Sequence, residues 1–169
     1  MRRTVIGVYK SLAQAKNTIE AIRVDDLANN GVSVVVLSRT LSSGNYKTEF
    51  AQELTRLPAE KMMGIFDGYL VQSGPIELPD LGEIMAAGPF ARALLQERDQ
   101  GLSGNLANFG ITAEEAREYE AEVREGNILL IAEAESDHAN AIANRMAGNG
   151  AQQITKWSRS TNRPMHYQK

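Results

Sequence analysis

Cysteine is absent from all 169 residues, which excludes disulfides, thiolate nucleophiles and cysteine-bound metals. That absence fits a reducing compartment, and the expectation is a cytoplasmic protein. Histidine occurs only at His138 and His166. With no close histidine pair and no thiol, no transition-metal site is expected, and no other cofactor is implied. A long apolar run is also missing. The most apolar segment, Leu81 to Leu95, carries Glu83, Pro89 and Arg92 and falls short of the ~20 residues that a membrane span needs. Thr4 to Tyr9 after Met1-Arg2-Arg3 is too short for a secretory leader, and a helix start follows directly. Net charge is −3, small and of the wrong sign for a protein whose main partner is nucleic acid. Acidic residues are missing after Asp137, where Arg145, Lys156, Arg159, Arg163 and Lys169 stand with Trp157 and Tyr167 among them. That end could bind an anion or nucleic acid weakly. The plainer reading is a basic tail that balances the acidic residues upstream.

What the chain does contain is the material for one domain. At this length a folded chain buries roughly 70% of its extended surface, and the hydrophobic content of 43% is that of an ordinary soluble protein. Two strand-helix-strand units mark its ends. In the first, Thr4-Val5-Ile6-Gly7-Val8-Tyr9 reads as a strand, with Val5, Gly7 and Tyr9 on one face and Ile6 and Val8 on the other. Ser11 with Gln14 forms a capping box, Leu12, Ala15, Ile19 and Ile22 mark one helix face, and Asn29-Asn30-Gly31 ends the helix. Val32 to Leu37 is the returning strand. In the second unit, Asn127 to Ala132 is an apolar strand, and Ser136 is a candidate cap. Ala139, Ile142, Ala143 and Met146 face inward, and Gly148-Asn149-Gly150 leads to a last strand, Ile154 to Trp157. Its alternation of polar and apolar residues suits an edge position.

Together these units predict an α+β fold: a ferredoxin-like split βαβ sheet of about four strands with a long helical insertion between strands 2 and 3. The expected domain runs over 1–157, with βαβ units at 4–38 and 127–157, the insertion at 39–126, and a polar tail at 158–169. Strands 1 and 3 would be central, with strands 2 and 4 at the edges. Both central strands are apolar on both faces, which an antiparallel sheet with one wet face does not require. The insertion or a second subunit must therefore cover the second face.

Within the insertion, Arg39 to Tyr46 reads as a loop, and Thr48 is a candidate cap for a helix at 49–57. Pro58 starts another helix, to about Phe66. Tyr69 to Gly88 reads as irregular, punctuated by Gly74-Pro75, Pro79 and Gly82, with a helical turn or two at Leu81 to Ala87. Pro89 begins a helix through Glu97, and Thr112 with Glu115 forms a second capping box. Ala116, Tyr119 and Val123 are the apolar stripe of the helix that follows. The acidic run Glu114, Glu115, Glu118, Glu120, Glu122 and Glu125 reads as a solvated helix face.

Val5-Ile6-Gly7-Val8-Tyr9 with Ala13, Ala15 and Ile19, then Val34-Val35-Val36, resemble the opening of the general stress protein 17M-like domain family. Ile84-Met85-Ala86-Ala87-Gly88-Pro89 and Gly101-Leu102-Ser103-Gly104-Asn105-Leu106 continue the likeness. So do Gly110-Ile111-Thr112-Ala113-Glu114-Glu115-Ala116, Tyr119-Glu120 and Gly126-Asn127-Ile128-Leu129-Leu130. In its centre the chain departs from the family, with Gln96-Glu97-Arg98-Asp99 where members are richer in Gly and Ala. The resemblance implies a bacterial cytoplasmic protein linked to stress response, and it brings no catalytic residues.

No catalytic constellation stands in the sequence. Gly101-Leu102-Ser103-Gly104 lacks the GK[ST] ending of a phosphate loop, and Ser73 is not in a nucleophile elbow. The expectation is a non-catalytic binding or interaction module that acts through self-association, as a homo-oligomer, or through a small-molecule ligand. Met62, Met63 and Phe66 could line a pocket, although methionines at this spacing are usually core. The long irregular stretch before Pro89 is the expected contact segment, through Tyr69, Leu70, Ile76, Leu78 and Pro89. An enzyme with a site between sheet and insertion is the alternative.

Overall fold

A computed structural model of the chain describes residues 2–25, 27, 31–42, 72–79, 81–158 and 164–166. The expected loop tip at 43–46 and the helices at 49–57 and 59–66 lie outside the described residues, as do Met62, Met63 and Phe66.

The two apolar strands take the centre. β1 (Arg2–Tyr9) pairs antiparallel with β5 (Ile128–Glu135) along its whole length, from Arg2 opposite Glu135 to Tyr9 opposite Ile128. β2 (Val32–Leu37) lies on the other side of β5, and β6 (Gln152–Ser158) on the other side of β1. α1 (Leu12–Val24) carries the chain from β1 over β5 to β2, and α6 (Ser136–Gly148) carries it from β5 over β1 to β6. The fold is α+β.

The sheet is larger than the four strands expected. Among the described residues it has seven, all antiparallel, in the order β3-β4-β2-β5-β1-β6-β7. The stretch that reads as irregular is instead a hairpin. β3 (Gln72–Leu78) and β4 (Gly82–Ala87) are joined where Leu78 faces Gly82, and β4 pairs with β2. Pro79 stands in the turn of this hairpin and Gly82 opens β4. Pro75 lies beside a register shift on the outermost strand of that side, a place where a missing N–H is tolerated. The helical turn expected at Leu81 to Ala87 gives way to a strand because β2 offers it a ladder. β2 is buried along all six residues, too apolar for the edge position expected of it. β6 is not an edge either, since β7 (Pro164–His166) pairs with it.

Alternate residues divide the core in two. On one face, α1 and α6 bury Leu12, Ala15, Ile19, Ile22, Ala139, Ile142 and Met146 against Val5, Tyr9, Val34 and Leu130. On the other face, Ile6, Val8, Val35, Leu129 and Ile131 are sealed by residues of the same chain. The cover comprises α3 (Pro89–Gln96), α4 (Gly101–Ala107) and α5 (Ala113–Arg124), contributing Phe90, Leu94, Leu102, Leu106, Tyr119 and Val123. Each such side chain left wet would forfeit roughly 1.5–3 kcal/mol. The insertion therefore supplies both the cover and two strands.

Both expected N-caps form, with Ser11 Oγ accepting from the Gln14 N–H at 3.4 Å and Thr112 Oγ1 from the Glu115 N–H at 3.3 Å. Ser136 does not cap α6; it is the first helical residue, and Glu135 takes the cap position without a side-chain bond. The loop expected from Arg39 instead begins as part of the short helix α2 (Ser38–Ser42).

The join between β4 and α3 brings the chain close against β2. Gly88 has φ +96°, and a Cβ there would lie 2.2 Å from the Val32 carbonyl oxygen and 2.7 Å from Ser33 Cα. Gly82 has φ +82° with nothing within 4 Å of such an atom. Gly88→Ala is expected to cost about 2–5 kcal/mol, from left-handed backbone strain plus overpacking. Gly82→Ala is expected to cost only the strain, about 1–2 kcal/mol. Urea denaturation of the pair checks this, and equal losses would show that the close approach to β2 is unimportant.

Candidate functional site

The buried polar groups are the natural starting point, because each needs a reason to be inside. On the α1 side, the Tyr9 hydroxyl donates to Thr18 Oγ1 at 2.8 Å, and the Thr18 hydroxyl donates to the Gln14 carbonyl at 2.9 Å. Burial pushes the Tyr9 phenol well above its ordinary value, and the bond to Thr18 only partly offsets that. A phenol held neutral in this way is a structural donor, not a base.

On the other face, four polar side chains tie the cover to the sheet or to itself. Ser33 Oγ accepts from the Phe90 N–H at 2.9 Å and so satisfies a first-turn donor of α3. The Thr4 hydroxyl donates to the Phe109 carbonyl at 3.3 Å. Asn105 is buried, and its amide donates to the carbonyls of Glu97 and Gly101 at 2.9 and 2.8 Å. Glu120 accepts from the Ser103 N–H at 2.9 Å and from Arg124 at 3.0 Å. Phe90 and Phe109 meet edge to face, with ring centroids 5.0 Å apart.

Glu120 corrects the reading of the acidic run as wholly solvated. It is buried, while Glu114, Glu118 and Glu125 are exposed. The signal was in its spacing, since Ala116, Tyr119, Glu120 and Val123 fall on one helical stripe. Glu122 lies at the rim of the same helix. It accepts from Asn127 at 2.7 Å and from Gln153 at 3.3 Å. Gln153 has φ +51°, at the bulge where β6 fits an extra residue opposite β1.

Of the expected contact residues, Ile76, Leu78 and Pro89 are among those the structure describes. Ile76 and Leu78 are 1% and 3% exposed and pack in the second core cluster of this chain. Their apolar character is therefore accounted for without a partner. Pro89 is exposed at the first position of α3. Tyr69 and Leu70 lie outside the described residues. Of the two histidines, His138 is half-buried in the first turn of α6, and His166 falls on β7. Among the described residues no group of three or more His, Asp or Glu side chains is placed to hold a metal ion. No helix among them is long and apolar enough to cross a membrane.

No family model, curated protein or solved structure matches this chain. The site must therefore be judged from its own residues.

Ile76→Ala is expected to cost about 2–5 kcal/mol of stability, as a core truncation does, and to leave the size in solution unchanged by light scattering. A size change with full stability would return Ile76 to an interface. Glu120→Ala is expected to cost about 1–3 kcal/mol, because the Ser103 N–H loses its charged acceptor. Thermal melts with Glu114→Ala as the exposed control test this.

Tyr9 gives a pH dependence. Its proton is held more tightly in the folded chain than in the unfolded one, which releases it near pH 10. Above that pH the unfolded state binds fewer protons, so stability falls as pH rises. Below it the contribution is constant. Tyr9→Phe is expected to lose about 0.5–1.5 kcal/mol at neutral pH and to decline less than wild type between pH 9 and pH 11. Urea midpoints at several pH values measure both. Parallel declines would remove Tyr9 as the cause.

Proposed function

We propose that this chain is a non-catalytic, stress-associated interaction module of the bacterial cytoplasm. Its frame in this reading is a ferredoxin-like split βαβ core, β1–α1–β2 and β5–α6–β6, with the long insertion between the second and third core strands. The order β6-β1-β5-β2 within the sheet supports that frame. So does the placing of α1 and α6 in one core cluster.

One observation carries the functional reading. Several of the segments that resemble the general stress protein 17M-like domain build the cover and hold its parts together. Gly101 to Leu106 forms α4, whose Ser103 N–H and Asn105 amide are both engaged in internal bonds. Gly110 to Ala116 opens α5, Glu120 caps α4, and Ile128 to Leu130 lies in the central strand β5. Polar atoms used in this way hold layers together and are not available to a substrate. Recognition then belongs to the surface, through self-association or a small-molecule ligand. Tyr69 and Leu70, directly before β3 in the chain, and the exposed Pro89 are the proposed contact residues.

Native mass spectrometry of the full chain purified from its own host tests this reading. The expected result is more than one subunit, or a single subunit with a small-molecule adduct. A bare monomer at micromolar and higher concentrations would overturn it.

A further inference from the structure

We draw no further inference here: the strongest candidate, the basic β6–β7 hairpin at one edge of the sheet, where Lys156 and Trp157 precede a connection that begins with Arg159 and ends with Arg163, rests on side chains that lie outside the described residues.

Discussion

Burial of the central strands on both faces is the constraint from which the rest of this fold follows. β1 and β5 place apolar side chains above and below the sheet in register, so that Ile6 stands beside Ile131 and Val5 beside Ala132. A layer of that kind is stable only between two others. The crossover helices provide one, because α1 and α6 must pass over a strand to reach the next. The second has to come from elsewhere in the chain, and α3, α4 and α5 supply it. The length of the insertion thus has a physical purpose before any functional one.

The same constraint explains where the polar side chains sit. A cover added by helices brings helix ends close to the sheet, and each end presents backbone donors and acceptors that water can no longer reach. Ser33, Asn105 and Glu120 meet that need at three successive places along the cover. Thr4 does the same for the chain leaving α4, at Phe109. Ser33 and Thr4 tie the second layer to the first, whereas Asn105 and Glu120 bind the covering segments to one another.

Much of the frame was legible in the residues. Strand alternation, helix stripes and N-caps are local signals, and the structure keeps them at β1, α1, β2, α5, β5 and α6. The need for a second cover was also legible, because apolar residues on both sides of a strand state it directly. The β3–β4 hairpin was not. Gly74, Pro75, Pro79 and Gly82 carry the same turn signals in a loop as in a hairpin, and only the neighbouring ladder of β2 turns the intervening residues into strands. The apolar residues of β3 carry a related ambiguity. Ile76 and Leu78 mark apolar surface that must be covered, but sequence does not say whether the cover is the same chain or another.

The chain by itself determined an α+β domain with two strand-helix-strand ends and a sheet that cannot remain open on either side. Periodicity and capping encode those features within a few residues of each other. Only the tertiary structure decided that the sheet gains further strands beyond the two end units, that the cover is internal, and that Glu120 is buried while most of its acidic neighbours on α5 are not. Those outcomes depend on contacts between residues far apart in the chain, where local pattern carries no information about which partner wins.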